Sequence, residues 1–298
     1  MTEAAVNFFY KTIGVGFLAL GKAKSLLIGY KRSRPFPASQ IGRTVDYDLK
    51  VVDEWLEVLV DYTGQGVTQL AGKRVLELGP GPDFGVALYL LSKGVEEYGA
   101  LDAFPLALRA PPELHEAILA RIEQLGSARP LAELRAALPS AQANGRIRYQ
   151  VRDDFDITAA FPSHTFDYVF SQAAFEHFDD IDTTIRQLSQ VSQPGTRLIA
   201  GIDLQTHTRW IRDKDPLNIY RYSKRFYDLF AFKGMPNRVA TSDYERALRK
   251  YGWENIEMRA LGQVADADFE RVNGSLHASF RKQESKNLWV IACATRGS

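Results

Sequence analysis

The feature that most constrains the fold is a regular alternation of short apolar segments and helical segments between residues 74 and 203. Alternation of this kind is typical of βαβ units, in which consecutive strands run parallel and right-handed crossovers place helices on both faces of the sheet. The sequence therefore predicts an α/β fold around a parallel sheet. The predicted strands are Arg74–Leu78, Glu97–Asp102, Ile147–Arg152, Asp167–Ser171 and Arg197–Asp203.

Two segments interrupt the alternation and read as helical insertions, residues 105–145 and 205–240. The second is aromatic and basic, which suits either a wall that grips a sugar or anionic substrate, or a helical cover with ordinary core aromatics. We interpret residues 46–298 as one domain that carries both insertions. Within it, apolar periodicity predicts helices over residues 46–62, 84–93, 181–191 and 242–251, and two late strands over 255–259 and 287–294.

Residues 1–45 form a separate basic and apolar segment. They hold seven Lys or Arg residues and one acid, a net charge of +6, which leaves −5 for the rest of a chain whose total is +1. Phe9, Ile13, Phe17 and Leu20 recur at helical spacing, so we expect a helix that packs on the domain or caps its pocket. Contact of residues 6–34 with a membrane or a lipid-linked substrate stays open. The polar stretch Lys31–Gln40 reads as a linker.

The loop VLELGPGPDFG, residues 75–85, decides which nucleotide the sheet can bind. A dinucleotide fingerprint needs a third glycine where this chain has Phe84, and Pro82 removes a backbone N–H that a pyrophosphate would use. A phosphate-binding P-loop is excluded because no Gly-Lys-Ser/Thr follows. The carboxylate of Glu77 would repel a pyrophosphate and would suit a ligand with an ammonium group.

Asp102 completes this interpretation. It ends the second predicted strand, 21 residues after Gly81, at the spacing where an acid accepts hydrogen bonds from ribose hydroxyls. A ribose without a neighbouring phosphate, together with a cationic group near Glu77, describes S-adenosylmethionine (SAM) better than NAD.

Five sequence motifs, which follow one another along the chain, resemble those of a known protein family. The chain resembles class I SAM-dependent methyltransferases from Arg74 to about Asp203, and Asp83 departs from the family's third loop glycine. The motifs are ELGPG at 77–81, ALDAF at 100–104, VRDDFDI at 151–157, FDYVFSQAAFEHFDD at 166–180 and QPGTRLIAGID at 193–203.

The resemblance implies a Rossmann-like, seven-stranded, mostly parallel sheet whose last strand is antiparallel, with helices on both faces. It also implies SAM as the cofactor, with Asp102 at the ribose and Asp154 and Phe155 at the adenine. The implied cofactor-binding residues are Glu77, Gly79, Gly81, Asp102, Ala103, Asp154, Phe155 and Ser171.

Two histidines are candidates for a general base. His207 follows the fifth predicted strand, at the carboxyl edge where reacting groups collect, and His177 follows the fourth. Imidazole titrates near neutral pH and can accept a hydroxyl proton. The alternative is that each histidine only orders its loop. We expect no metal site, because Asp179 and Asp180 read as charges that begin the next helix.

A narrower resemblance concerns the acceptor. DLQTH at 203–207 and PLNIYRYSKRFYDLF at 216–230 are similar to methyltransferases of surface polysaccharides and secondary metabolites. It favours O-methylation of a sugar-like or natural-product hydroxyl. N-methylation of a small amine and a catalytically inactive binding protein are the alternatives, and Phe84 argues against an NAD-dependent oxidoreductase.

The amino-acid composition limits which partners and which cellular location we expect for the protein. The net charge of +1 gives no general attraction to nucleic acid, and the single cysteine, Cys293, forms no intrachain disulfide. We expect a small-molecule or glycan substrate, no nucleic-acid partner, and a cytoplasmic location with membrane association left open. The sequence indicates no oligomeric state.

Overall fold

A seven-stranded sheet in the order β3-β2-β1-β4-β5-β7-β6 forms the centre of the molecule and confirms the predicted fold class. The computed structural model describes residues 2–29, 38–66, 69–138 and 145–298. Five strands are parallel, and β7 runs antiparallel between β5 and β6. The strands are β1 (Arg74–Leu78), β2 (Glu97–Asp102), β3 (Ile147–Val151), β4 (Phe166–Gln172), β5 (Ser192–Asp203), β6 (Trp253–Gln263) and β7 (Asn287–Arg296).

The helices cover both faces of the sheet. On one face the buried side chains of α2, α3 and α4 form a core with the sheet, where the rings of Trp55 and Phe170 stack at 4.8 Å. On the other face α6, α7 and α10 form the second core. The helices are α1 (Glu3–Ile28), α2 (Ile41–Thr63), α3 (Gly85–Ser92), α4 (Pro112–Leu125), α5 (Leu131–Ala137), α6 (Ile157–Ala160), α7 (Ile181–Gln190), α8 (Arg209–Arg212), α9 (Lys224–Asp228), α10 (Thr241–Lys250) and α11 (Asp266–Asn273).

The boundaries differ from the prediction most at α2, β5 and β6, and β6 covers Trp253–Gln263 where 255–259 was predicted. α2 begins at Ile41 rather than near residue 46, because Thr44 and Val45 already belong to the buried face of this helix. β5 begins at Ser192, before the predicted Arg197, because Ser192 pairs with Phe166 across an irregularity in the β4–β5 ladder. Residues 31–37 of the predicted linker and 139–144 of the first insertion lie outside the described residues.

The second insertion folds into short helices with their own core. Tyr220, Tyr222 and Tyr227 are buried there, together with Phe269 and Leu276 from the α11 region. Two of its basic residues also have structural partners. The Arg221 guanidinium pairs with Asp215 at 2.8 Å, and Arg238 lies over the Tyr227 ring at 3.9 Å. Residues 204–238, which we call the cover, are therefore mainly a structural unit.

α1 lies along the outside of the cover. At Gly14 a side chain would meet the Asn218 amide oxygen and the Tyr222 hydroxyl, each at 2.1 Å, so the glycine permits a close approach. The predicted stripe only partly coincides with the packed face: Phe9 and Leu20 are exposed, whereas Ile13 and Phe17 are half-buried and Phe17 meets Trp210. Among the described residues, α1 is long and apolar enough to cross a membrane by length and composition.

Candidate active site

A cavity of about 540 Å³ opens beyond the carboxyl ends of β1 to β5, a size typical of small-molecule sites. It lies where the strand order reverses between β1 and β4, the position at which open α/β sheets bind ligands. Eight of the predicted site residues border it: Gly79, Gly81, Asp102, Ala103, Asp154, Phe155, His177 and His207.

The loop after β1 presents bare backbone to the cavity. Gly79 and Gly81 have φ angles of 74° and 82°, in the left-handed region that favours glycine. A Cβ on Gly79 would lie 2.6 Å from the Cβ of Ala174, so this loop touches the loop after β4. The Gly79 N–H donates to the Leu101 carbonyl at 2.9 Å, which fixes the loop against β2. The two glycines allow a ligand to approach the backbone closely.

Glu77 and Ser171 support this loop from below and do not border the cavity. The Glu77 carboxylate accepts a hydrogen bond from the Tyr98 hydroxyl inside the protein. Burial raises the pKa of Glu77 to about 8, and the Tyr98 hydrogen bond opposes that rise. The Ser171 hydroxyl donates to the Leu78 carbonyl at 2.9 Å. Direct contact of either residue with a cofactor stays a prediction.

A buried pair of acids lies next to the same loop. Burial, and then the neighbouring Asp83, raise the pKa of Asp48 to about 10. Asp83 also accepts the Gly85 N–H at 2.8 Å, which ties the loop to the start of α3.

Phe84, in the position of a dinucleotide-binding glycine, is buried against Tyr149 with ring centroids 5.3 Å apart.

Asp102 stands at the end of β2 with its carboxylate at the cavity wall. One oxygen accepts the Phe104 N–H at 3.1 Å. Burial raises the pKa of Asp102 to about 6, although backbone hydrogen bonds oppose the rise. A largely buried carboxylate at this strand end can accept hydrogen bonds from vicinal hydroxyls.

The loop after β3 supplies an apolar surface beside this acid. Phe155 has a φ of 51°, and its ring lies 4.6 Å from that of Phe178, which also borders the cavity. The Asp154 carboxylate is held by the Arg152 guanidinium at 2.8 and 2.6 Å. The rings can stack on a purine. The predicted contact of Asp154 with the adenine amino group stays a prediction.

The opposite wall carries both histidines and a carboxylate that the sequence analysis did not select. The His177 and His207 rings meet edge to face with centroids 4.9 Å apart. Glu176 is 1% exposed, and one of its oxygens lies 3.8 Å from His207 Nε2. Burial raises the pKa of Glu176, and His207 opposes that rise.

The tautomer of His207 follows from its other nitrogen. His207 Nδ1 lies 2.9 Å from the Gln205 carbonyl oxygen, which can only accept, so Nδ1 carries the hydrogen. In the neutral ring Nε2 is then the basic nitrogen, and it faces Glu176. A proton taken up at Nε2 would be stabilised by the buried carboxylate.

These three residues could also hold a cation. One ligand atom each from Glu176, His177 and His207 lies within 4.8 Å of the others, and two imidazoles with a carboxylate suit a divalent transition metal. The expectation that these loops hold no metal stays a prediction.

Lys233 is a further cavity residue that the sequence analysis missed. It comes from the cover, its ammonium group donates to the Asp153 carbonyl, and it lies 5.7 Å from the Phe104 ring. The cover therefore closes over the loops that follow β2 and β3. Glu176 carried a weak signal, since it precedes His177 directly. No local pattern pointed to Lys233.

Comparisons with known proteins agree with this geometry. The model of one protein family, described as a methyltransferase domain, matches residues 51–258. No curated protein matches the sequence.

Three solved structures illustrate the likeness of fold. One is a SAM-dependent methyltransferase from Mesorhizobium loti, at 18% identity and a TM-score of 0.42, covering 77% of this chain and 94% of that one. A putative sarcosine dimethylglycine methyltransferase from Galdieria sulphuraria has 14% identity and a TM-score of 0.43, covering 92% and 97%. A putative SAM-dependent methyltransferase from Listeria monocytogenes has 14% identity and a TM-score of 0.43, covering 80% and 97%.

Proposed function

The chain belongs to the methyltransferase-domain family and is a SAM-dependent methyltransferase, and we propose that it methylates a hydroxyl group of a small, sugar-like or natural-product molecule. We propose further that His207 removes the hydroxyl proton. The observation that carries this proposal is the basic nitrogen of His207 facing the buried carboxylate of Glu176 at the cavity wall.

The residues around the cavity suit the cofactor. Asp102 offers a carboxylate to the ribose hydroxyls, and Phe155 with Phe178 offers an apolar surface to the adenine. The bare backbone at Gly79 and Gly81 leaves room for the amino-acid end. Bound SAM supplies a methyl group already activated on a sulfonium sulfur.

The protein's part in the reaction is alignment and proton removal. Asp102, Gly79 and Phe155 would hold SAM, which would supply its methyl group to the acceptor oxygen and keep the electron pair of the methyl–sulfur bond on sulfur. The hydroxyl proton passes to His207 Nε2. The resulting imidazolium keeps its Nδ1 hydrogen bond to Gln205 and pairs with Glu176. Positioning of the reactants lowers the barrier further, because the reacting atoms are held in line.

Polar groups near the histidines support a hydroxylated acceptor. Asp179 and Gln172 border the cavity on the same side as His177. Carboxylate and amide oxygens accept hydrogen bonds from hydroxyl groups, and the amide also donates. Further hydroxyl groups of the substrate would find hydrogen-bond partners there, as expected for a sugar or a hydroxylated natural product.

Two measurements test the proposal. Calorimetric titration with SAM should show binding, and its absence would leave a catalytically inactive protein as the explanation. Incubation of candidate acceptors with methyl-labelled SAM, followed by mass spectrometry, should place the label on oxygen. A label found on nitrogen would overturn the hydroxyl acceptor and leave the methyltransferase activity intact.

A further inference from the structure

α1 is attached to the folded domain along one face only. Its contacts extend from Asn7, whose amide donates to the Arg271 carbonyl, to Lys22, which donates to the Leu229 carbonyl. Between them Phe17 meets Trp210 with ring centroids 5.6 Å apart, and Gly14 and Gly21 lie close to the cover. About four turns of helix therefore lie flat on the domain.

The opposite face of α1 is exposed and apolar. Phe8 is 72% exposed, Leu20 65%, Leu26 77% and Leu27 84%. A helix on the outside of a globular protein normally turns charged residues to solvent, so this face has the reverse of the usual pattern. By helical spacing the face holds no charged residue, and it comprises Ala5, Phe8, Phe9, Thr12, Gly16, Ala19, Leu20, Ala23, Leu26 and Leu27.

Basic residues border this apolar face. Lys11 and Lys22 lie on one side of it by helical spacing, and Lys24 lies on the other. Residues 1–45 carry a net charge of +6. An apolar face between lysines matches the boundary between lipid acyl chains and anionic headgroups.

Exposed apolar residues of the cover lie beside α1. Trp210 and Leu229 are both exposed, and each belongs to a contact between the cover and α1. Tryptophan is enriched at membrane interfaces because its ring is apolar and its N–H is polar.

We propose that α1 holds this protein on the surface of an anionic lipid bilayer, with the helix lying in the plane of the membrane. A membrane-spanning arrangement would separate α1 from the cover and break contacts from Asn7 to Lys22. Packing of two copies through the same face would bring their lysines together, which like-charge repulsion opposes. An anionic bilayer matches both the apolar face and its charged borders.

Co-sedimentation of the full chain with lipid vesicles tests the proposal. Vesicles of phosphatidylcholine mixed with anionic phosphatidylglycerol should bind the protein, and pure phosphatidylcholine should bind it much less. Leu20→Ser with Leu27→Ser should lower binding at least about tenfold, because two exposed apolar side chains no longer enter the lipid. Lys11→Gln with Lys24→Gln should lower it roughly fivefold per lysine and weaken its response to salt.

Matched variants separate the helix face from general effects. Leu108→Ser with Leu261→Ser removes two leucines exposed elsewhere, and Lys50→Gln with Lys282→Gln removes two lysines of other regions. Both control pairs should bind vesicles as the unmodified protein does. All the altered side chains lie outside the cavity, so thermal unfolding and SAM titration should not change in any variant.

Four results would overturn the proposal. The first is that the unmodified protein does not bind anionic vesicles. The second is that the helix variants and the control variants lose vesicle binding to the same extent. The third is that alkaline carbonate does not release the bound protein, as is typical of a membrane-spanning helix. The fourth is a lipid-free dimer, seen by light scattering, that Leu20→Ser with Leu27→Ser converts to monomer. The vesicle measurement needs neither SAM nor an acceptor, so it stands apart from the test of O-methylation.

Discussion

The two walls of the cavity are built in different ways. The wall formed by the loops after β1, β2 and β3 consists of glycine backbone, a strand-end acid and a ring, and the glycine and the acid are held by backbone groups of β2 and the residues that follow it. The wall after β4 and β5 depends on contacts between distant segments, such as His207 with Glu176 and Lys233 with Asp153. The first wall suits a fixed cofactor, whereas the second can change with the acceptor.

We call the first the cofactor wall and the second the acceptor wall. Substitutions in one wall should leave the function of the other unchanged. Changes in the first should weaken SAM binding and spare the chemical step at saturating SAM. Changes in the second should slow the chemical step and spare SAM binding. Variants that affected both equally would show that the division is wrong.

The largest effect is expected at His207. His207→Gln should lower kcat by about 10²–10⁴-fold, the range for loss of a general base, because no imidazole nitrogen then accepts the proton. The dissociation constant for SAM, measured by calorimetry, should stay within about twofold.

Two further variants locate the base. His177→Gln serves as the matched control and should reduce kcat less than His207→Gln does. Glu176→Gln should lower kcat and alter its pH profile, since the imidazolium loses its carboxylate partner. Full turnover in His207→Gln would remove this residue from the mechanism, and loss of activity on chelation would favour a metal at these three residues.

The cofactor wall gives the next largest effect. Asp102→Asn should raise the dissociation constant for SAM about 10- to 100-fold, because hydrogen bonds to a charged acceptor contribute about 1.5–3 kcal/mol. Asp153→Asn, which alters another acid of the cavity, is the control and should change it little. An unchanged affinity in Asp102→Asn would show that the ribose lies elsewhere.

The raised pKa of Asp102 predicts a pH effect of smaller size. Ribose hydroxyls favour the carboxylate, so SAM affinity should fall by up to about tenfold per pH unit below about 6. Asp102→Asn should remove this dependence in calorimetric titrations.

The same shift affects the stability of the cofactor-free protein with a defined sign. The folded state holds the Asp102 proton more tightly than the unfolded state does, because the pKa of this carboxyl group is near 3.8 in the unfolded chain and about 6 in the folded protein. This contribution is fully present below that value and is lost as pH rises toward about 6. Glu77, with a pKa near 8, and Asp48, near 10, act in the same direction over wider ranges. Denaturant unfolding at several pH values checks the sign.

Substitutions where α1 contacts the cover should have the smallest effect on catalysis and should change the stability of the protein instead. Gly14→Ala places a methyl group 2.1 Å from Asn218 and Tyr222, which should lower the free energy of unfolding by about 1–3 kcal/mol. Gly16→Ala on the same helix meets nothing within 4 Å and should raise it by about 0.5–1 kcal/mol. Equal responses in urea unfolding would contradict the docking of α1, and SAM affinity should stay constant in both.

The sequence predicted the sheet and most of the cofactor wall because their signals are local. Gly79 and Gly81 follow β1 and Asp102 ends β2, strands that alternation alone identifies, and all three residues border the cavity. Glu77 shows the limit of such reasoning. A strand-end acid can face a ligand or an internal partner, and its hydrogen bond from Tyr98 depends on the neighbouring strand.

Two other features could not be predicted because they depend on long-range packing. Glu176 and His207 lie 31 positions apart in sequence and meet only when β4 and β5 pair. The docked face of α1 contains Gly14 and Gly21, whose small size permits contact without giving any hydrophobic signal. The predicted apolar stripe therefore shared Phe17 with the docked face, whereas its Phe9 and Leu20 lie on the exposed side.

The place of β7 between β5 and β6 has a consequence for how the protein is made. β6 is complete at residue 263, yet β7, the strand that pairs with it, ends only at residue 296. During synthesis from the amino terminus β6 has no β7 beside it until the ribosome has added some thirty more residues. Joining of the sheet is then a late event in the polypeptide's biogenesis, and the unpaired edges are open to chaperones until it occurs.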